Sequence, residues 1–290
     1  MKFLVPLIVI AFAILLPVKV DAQSYGPENG TLVLAGGNVH DVAIFRRFID
    51  LAGGPDAPIV VIPTAGGAPD YGPYWQGLLP LKNAGATNLA LLHTYDRKVA
   101  DSEAFVLPLR KARGVWFTGG RQWRLADAYL HTRVQTELNG LLSRGGVIGG
   151  SSAGATIQGS YLARGDTRTN TIMMGDHQEG MGFLPMSAVD QHLLQLNRQF
   201  DLIPVIEAHP HLLGIGLDEN TAIVVHGGGF EVIGQSYVAI YDHNQMLDSG
   251  GRFYFLSPGD QYDLKTRQAS RMYRVPERFE RIKPDKWPDQ

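Results

Sequence analysis

One serine of the chain lies in a sequence pattern that is typical of an activated nucleophile. The residues Gly150-Ser151-Ser152-Ala153-Gly154 match G-x-S-x-G, between the apolar run Gly146–Ile148 and the helix-compatible segment Ala155–Tyr161. A sharp turn from strand to helix would lift the Ser152 hydroxyl out of a sheet and bring backbone N–H groups near a developing oxyanion. In a chain with 34 glycines the pattern also arises in plain turns, but its place between strand and helix predicts a nucleophile.

A nucleophilic serine needs a general base, and the nine histidines are the natural candidates. His192 stands out because it follows Val189-Asp190-Gln191, where the chain leaves an apolar stretch. His209 and His211 flank Pro210, but no carboxylate or third histidine lies at ligand spacing, so this pair predicts a loop and no metal site. The remaining histidines are His40, His93, His131, His177, His226 and His243.

The composition restricts the chemistry further. The chain has no cysteine, which excludes thiol nucleophiles, thiolate zinc sites, iron–sulfur clusters and disulfides together. With 26 Lys+Arg and 28 Asp+Glu the net charge is -2, and nothing global indicates a nucleic-acid surface. We therefore expect a small or peptidic substrate, no nucleic-acid partner and no cofactor.

Short apolar runs alternate with segments of helical spacing, and this alternation predicts an α/β fold whose mostly parallel sheet is flanked by helices. Helical spacing follows Asp41, and it follows Gly120 as far as Val134. The strand-like runs are Thr31–Ala35, Ile59–Pro63, Asn88–His93, Gly114–Thr118 and Gly146–Ile148.

Glycine-rich turns follow four of these runs, at the edge where parallel sheets bind ligands. They are Gly36-Gly37-Asn38, Gly66-Gly67, Gly119-Gly120 and Gly149-Gly150. After Glu219 the pattern changes to alternating runs that predict antiparallel hairpins, namely Thr221–His226, Phe230–Gly234 and Ser236–Tyr241. No internal repeat or linker interrupts the chain, so residues 23–290 are predicted to form a single domain.

Residues 1–22 are interpreted as a signal peptide. Lys2 supplies a positive charge, Phe3–Leu16 is apolar, and Val20-Asp21-Ala22 ends in a small residue, as signal peptidase sites do. The alternative is an uncleaved anchor, but this apolar run is shorter than the ~20 residues that a membrane-spanning helix needs. We therefore expect a secreted or periplasmic protein without stable membrane insertion after cleavage.

Four ordered motifs give the chain a specific resemblance. Between about Thr31 and Tyr241 the sequence resembles the cyanophycinases, serine hydrolases related to the aspartyl dipeptidase called dipeptidase E. The resemblance implies a class I glutamine amidotransferase-like (flavodoxin-like) sheet, with serine in place of that fold's usual cysteine. It also implies cleavage next to aspartyl residues, release of β-aspartyl-arginine from the polymer cyanophycin, and a homodimer. The motifs are Phe117-Thr118-Gly119-Gly120-Arg121-Gln122, Gly150-Ser151-Ser152-Ala153-Gly154-Ala155, Asp190-Gln191-His192 and Gly214-Ile215-Gly216-Leu217-Asp218-Glu219.

The resemblance also implies roles for individual residues. Ser152 would attack the aspartyl carbonyl, His192 would take its proton, and Glu219 would orient the imidazole. Asp166 is an alternative third member, because an acidic residue some 15 to 18 positions after the serine has also been considered in the family. Glu219 is preferred, although a turn or capping carboxylate is the alternative interpretation of this residue.

The oxyanion hole would use the backbone N–H of Ala153 and one from Gly119 or Gly120, since both loops leave strand ends at the same pocket.

Three further positions correspond to substrate-binding residues of the resembled family, namely Gln122, Gln191 and Arg198. A guanidinium can bind a carboxylate through two hydrogen bonds, which suits the free carboxylate of an aspartyl unit, and a solvated surface arginine is the alternative. The chain departs from the family where Leu196 and Asp201 stand in place of expected arginines. Asp201 could instead pair with the guanidinium of an arginine side chain in the substrate.

The sequence leaves three alternatives open for the fold, the substrate and the activity. An α/β-hydrolase would place the acid before the histidine, for instance as Ser152, Asp218 and His243. The substrate could be small α- or iso-aspartyl dipeptides rather than the polymer. An inactive binding module on the same fold is a non-enzymatic alternative.

Overall fold

The structure is a computed structural model, and it describes residues 25–244 and 251–271. The predicted signal peptide, residues 1–22, and the charged stretch from Tyr273 lie outside these residues. Within the described part of the chain, no helix is both long and apolar enough to cross a membrane.

The described residues contain fourteen strands and eight α-helices, which are joined by turns and loops. The strands are β1 Thr31–Ala35, β2 Ile59–Ile62, β3 Leu89–Leu91, β4 Gly114–Phe117, β5 Val147–Ser151, β6 Gly159–Tyr161, β7 Leu184–Gln191, β8 Leu213–Leu217, β9 Thr221–His226, β10 Gly229–Gly234, β11 Val238–Asp242, β12 Tyr254–Leu256, β13 Gln261–Asp263 and β14 Gln268–Ser270. The helices are α1 Val42–Ala52, α2 Leu79–Asn83, α3 Arg97–Ala100, α4 Glu103–Lys111, α5 Gln122–Tyr129, α6 Arg133–Ser143, α7 Ala153–Thr156 and α8 Ile203–Ala208.

The larger sheet has nine strands in the order β14-β13-β10-β9-β1-β5-β4-β2-β3. From β1 to β3 all neighbours are parallel, as the alternation of strands and helices predicts. From β9 to β14 the neighbours are antiparallel, and β9 with β10 forms the predicted hairpin. The predicted α/β fold is confirmed, and β1 and β5 lie side by side in the middle of the sheet.

Helix α1 shows why the sequence covers one face of this sheet. The Asp41 carboxylate accepts a hydrogen bond from the backbone N–H of Ala43 and caps the first turn, and the helix ends at Gly53, whose φ is 110°. Phe45 and Phe48 are buried, and their rings lie 5.1 and 5.0 Å from the ring of Trp116 on β4. This aromatic packing fixes α1 beside the carboxyl ends of β1 and β4.

The second sheet has five strands, in the order β12-β11-β8-β7-β6. The run 236–241 forms an antiparallel strand, as the alternation of its residues predicts, but it does not join the hairpin of β9 and β10. Strand β11 pairs with β8 instead, with Val238 opposite Leu217. Alternating apolar residues indicate a strand but do not identify its partner, and the turn at Gly234, with φ of 106°, directs the chain away from the first sheet.

Two predicted helices differ in extent from those observed. The segment 155–161 contains only the end of α7, which stops at Thr156, and the chain then enters β6. The helical spacing between Gly120 and Val134 belongs to two helices, α5 and α6, which are separated at His131, whose φ is 58°. Both helices bury apolar residues in one core, so the spacing of these residues continues across the break.

An ionic contact fastens the connection between β6 and β7 to helix α5. The imidazole of His177 lies 2.8 Å from Asp127 through Nε2 and 3.3 Å from Asp176 through Nδ1. Burial alone would lower the pKa of His177, but the hydrogen bonds to Asp127 and Asp176 outweigh it and raise this pKa above its ordinary value. Both nitrogens donate only when the ring is protonated.

His177→Ala is therefore expected to lower stability more at pH 5.5 than at pH 8.5. A raised folded-state pKa gives stabilisation that is complete below the unfolded value of about 6.5 and is lost as pH rises through the folded value. The carboxylates are half exposed, so the difference should stay below about 1 kcal/mol. Thermal unfolding of wild type and variant at both pH values measures it, and an equal loss at both would contradict a charged contact.

Candidate active site

Ser152 occupies a sharp turn between β5 and α7. Its backbone has φ of 54° and ψ of -117°, a strained conformation for a residue with a side chain, and its N–H donates to the carbonyl of Ala35 on β1. A Cβ added at Gly150 would lie 2.3 Å from the carbonyl oxygen of Gly154, and one at Gly154 would lie 2.3 Å from that of Phe117. Both glycines of the motif are thus required by close backbone approach.

The Ser152 hydroxyl lies at one end of a series of three polar side chains. Its Oγ is 2.9 Å from Nε2 of His192, and Nδ1 of the same ring is 2.6 Å from Oε1 of Glu219. His192 directly follows β7, and Glu219 lies in the turn between β8 and β9. The side chains of His192 and Glu219 are 21% and 19% exposed, so the series is partly shielded from water yet open to a ligand.

The turn after β1 contacts both His192 and Glu219. Gly37, with φ of 115°, lies against the imidazole, since a Cβ at this position would be 2.3 Å from Cε1 of His192. The amide Nδ2 of Asn38 donates to Oε2 of Glu219 over 2.7 Å. The carboxylate therefore has one oxygen held by Asn38 while the other faces His192. The sequence predicts the glycine-rich turn at the end of β1, but it does not predict the hydrogen bond between Asn38 and Glu219.

Three backbone N–H groups lie around the turn of Ser152. A Cβ at Gly119 would lie 3.3 Å from Cβ of Ser152, which places the loop after β4 directly beside it. Gly120 has φ of 141°, and Ala153 begins α7. In the described chain no carbonyl accepts a hydrogen bond from the N–H of Gly119, Gly120 or Ala153, so all three are free to bind an oxygen of a ligand.

The alternative acids and bases lie elsewhere. Asp166 is buried in its own loop, where Oδ1 accepts the backbone N–H groups of Arg168 and Thr169. Asp218 accepts backbone N–H groups of the turn after His192 and the hydroxyl of Ser236. His243 lines a separate cavity of about 260 Å³ beside α8. The structure therefore brings neither Asp166 nor the pair Asp218 and His243 into hydrogen-bond contact with Ser152.

The predicted substrate-binding residues differ in accessibility. Gln122 is 0% exposed, and its Nε2 donates to the carbonyl of Ala163, so the side chain joins α5 to the loop after β6. This burial does not fit the predicted contact with substrate. The buried Oε1 of Gln191 accepts a hydrogen bond from Nη1 of the half-buried Arg198 over 2.6 Å. The guanidinium of Arg198 keeps further donors for a ligand.

A buried arginine adjoins this pair. Arg164 is 1% exposed and binds both carboxylate oxygens of Asp190, at 2.6 and 2.8 Å. It also binds Asp201 at 2.5 Å. Burial opposes its charge, but the hydrogen bonds with Asp190 and Asp201 raise the pKa of this guanidinium. Burial, followed by repulsion from Arg164, lowers the pKa of Arg198. Asp201 therefore has one carboxylate oxygen bound to Arg164, while its side chain stays 39% exposed, and its pairing with a substrate arginine stays a prediction.

A serine, a histidine and a carboxylate in this geometry can perform nucleophilic acyl transfer. Residues 31–233 match the model of Peptidase family S51. The chain belongs to this family. A cyanophycinase of Synechococcus elongatus is 30% identical over 275 residues, which span 87% of this chain and 85% of the relative. A cyanophycinase of Geminocystis herdmanii is 31% identical over 262 residues, 83% of this chain and 96% of the relative.

Solved structures share the architecture of this S51 peptidase. A peptidase from an acI-B1 Actinobacterium aligns with a TM-score of 0.63 and 25% identity over 82% of this chain and 98% of its own. A putative peptidase E from Listeria monocytogenes aligns with a TM-score of 0.53 and 20% identity over 71% and 99%, a likeness of fold. The chain is thus a serine-type peptidase with a peptide substrate, as the sequence predicts, rather than a binding module.

Two site features were not found from the sequence. Asn38 is one, and its position directly after β1 was the available signal. The ion network around Arg164 is the other, and nothing in the sequence around this arginine distinguishes it from a surface residue. Among the residues that the structure describes, no three histidines or carboxylates are arranged to hold a metal ion.

Proposed function

We propose that this chain hydrolyses aspartyl peptide bonds of cyanophycin and releases β-aspartyl-arginine through an acyl-enzyme on Ser152. The observation that carries the proposal is the unbroken hydrogen-bond series from Ser152 through His192 to Glu219. The cyanophycinases among the curated relatives support the choice of substrate. A polymer supplied from outside the cell is too large to import and must be cut before uptake. Together with the signal peptide predicted for residues 1–22, this leads the proposal to include a secreted or periplasmic enzyme.

In the proposed mechanism Ser152 Oγ attacks the aspartyl carbonyl carbon while His192 Nε2 takes the hydroxyl proton. The carbonyl oxygen becomes an oxyanion that accepts hydrogen bonds from the N–H of Ala153 and of Gly119 or Gly120. His192 then returns the proton to the leaving amine as the C–N bond breaks. Water, activated by the same imidazole, hydrolyses the ester and restores Ser152.

Glu219 and Asn38 act on this series without touching substrate. The Glu219 carboxylate accepts a hydrogen bond from the Nδ1–H of His192, which leaves Nε2 free to take the serine proton and stabilises the imidazolium that forms. Asn38 holds the other carboxylate oxygen, so it is a positioning residue.

A second candidate substrate is a small aspartyl peptide. The observation that favours it is the contact between Asp201 and Arg164, because it engages the carboxylate that would otherwise receive an arginine of the polymer. Leu196, at 51% exposure, offers no charge in place of the expected arginine.

One experiment separates the two substrates. The protein is incubated with cyanophycin, β-aspartyl dipeptides and α-aspartyl dipeptides, and the products are identified by mass. Release of β-aspartyl-arginine supports the proposal. Rapid hydrolysis of α-aspartyl dipeptides with no release from cyanophycin would leave the dipeptidase candidate instead.

Glu219→Gln is expected to lower kcat by roughly 10³- to 10⁴-fold, because a neutral amide no longer fixes the imidazole tautomer. The matched control is Asp166→Asn, since the amide oxygen can still accept the N–H groups of its loop. Steady-state kinetics of both variants measure the effect. A greater loss for Asp166→Asn than for Glu219→Gln would make Asp166 the third member.

Arg198→Ala is expected to lower kcat/KM for aspartyl substrates by roughly 10- to 100-fold, through loss of about 1–3 kcal/mol of charge-assisted hydrogen bonding. Arg198→Lys keeps the charge but not the planar fork, and it should recover only part of the activity. For wild type and both variants, kcat/KM is measured on an aspartyl substrate and on its asparaginyl analogue. Equal losses on both would exclude a contact with the aspartyl carboxylate.

A further inference from the structure

A cavity of about 550 Å³ opens beside Ser152, on the face of the larger sheet that α1 covers. Its rim includes Gly119, which adjoins the side chain of Ser152, and Asn38, which binds Glu219. The cavity therefore reaches the proposed catalytic series from the side opposite the second sheet. Its volume lies in the range of small-molecule sites and holds a whole amino-acid residue.

Apolar and aromatic side chains form the floor and one wall of this cavity, and the side chains of Asn38, Thr118 and Ser151 add uncharged polar groups. Phe45, Trp116 and Leu81 form the buried floor. Tyr71 and Trp75 form a half-buried wall, with ring centroids 4.9 Å apart and ring planes at 72°. Among the residues that the structure describes, none that lines the cavity carries a charged side chain.

The aromatic wall is held in place without a ligand. A Cβ at Gly77 would lie 2.1 Å from the indole of Trp75, so only glycine lets this ring lie against the backbone there. The hydroxyl of Tyr71 accepts the N–H of Ala68, and its ring packs edge-on against His93 at 4.8 Å. The wall is thus pre-organised, which reduces the entropy lost when a ligand binds.

We propose that this cavity is a specificity subsite that binds an uncharged, apolar or aromatic side chain of the substrate residue next to the aspartyl unit. An apolar side chain gains by leaving water for this surface. A carboxylate or ammonium group would lose hydration without gaining an opposite charge. The inference rests on the proposed hydrolysis at Ser152, since that serine defines which residue reaches the cavity. Of the two candidate substrates it favours the small aspartyl peptides, because the units of cyanophycin carry arginine side chains.

The first test needs no variant of the cavity. Wild-type enzyme is given α- and β-aspartyl dipeptides whose second residue is Phe, Leu, Ala, Glu, Lys or Arg, and kcat/KM is measured for each. Phe and Leu should exceed Ala by roughly 10-fold or more, and they should exceed Glu and Lys by a larger factor. If Arg equals or exceeds Phe, a guanidinium stacked on the indole is the preferred occupant and the proposal is wrong.

The second test measures binding without turnover. In a Ser152→Ala background, Trp75→Ala should weaken calorimetric binding of Asp-Phe about 10-fold or more and leave binding of Asp-Ala nearly unchanged. Tyr74→Ala is the matched control, because this neighbouring ring is 93% exposed and does not line the cavity. Equal weakening for Asp-Phe and Asp-Ala overturns the subsite.

The two proposals fail in different ways. If the Ser152→Ala protein binds Asp-Phe through Trp75 but wild type hydrolyses no aspartyl peptide, the proposed function fails and the subsite stands. If wild type hydrolyses the dipeptides of all six second residues equally well, hydrolysis at Ser152 stands and the subsite fails.

Discussion

Ser152→Ala is expected to abolish peptide hydrolysis, with a loss on the order of 10⁶ in kcat, because Ser152 Oγ is the atom that forms the acyl-enzyme in the proposed mechanism. The fold should be unaffected. The hydroxyl contacts only Nε2 of His192, and the backbone of Ser152 keeps its hydrogen bond to Ala35. Product release measured by mass, together with the thermal unfolding midpoint, checks both statements.

The matched control for this variant is its neighbour. Ser151 ends β5 and lines the cavity described above, but the serine that hydrogen-bonds His192 is Ser152, so Ser151→Ala should lose far less activity than Ser152→Ala. Comparable losses at both positions would indicate a structural turn. Activity above a few per cent in Ser152→Ala would show that another residue is the nucleophile.

His192→Ala is expected to lower kcat almost as far as loss of the serine, since members of such a series act as a unit. His243→Ala is the control, because His243 lines a separate cavity and should leave activity intact.

Added imidazole gives an independent readout of the same role. It should restore part of the activity of His192→Ala, because a free base can enter the space that the side chain leaves, and it should not restore Ser152→Ala. An active His192→Ala together with an inactive His243→Ala would support the order of an α/β-hydrolase instead.

The sequence by itself determined the parallel strands and the residues at their ends. Buried parallel strands read as continuous apolar runs, and their carboxyl ends must meet at one edge, so the order of the motifs was enough to bring Ser152, Gly119 and Asn38 together. The nucleophile turn was also predictable, since its two glycines are forced by contacts within a few residues or with the adjacent strand.

Only the tertiary structure decided the partners of the later strands and of the polar side chains. An alternating run such as 236–241 fits any strand edge, and packing placed it beside β8. The sequence assigns Gln122 and Asp201 to contacts with substrate, yet the first is fully buried against Ala163 and the second binds Arg164, 37 residues away. A hydrogen bond between distant residues depends on where the whole chain places two atoms within about 3 Å, and no local pattern encodes that distance.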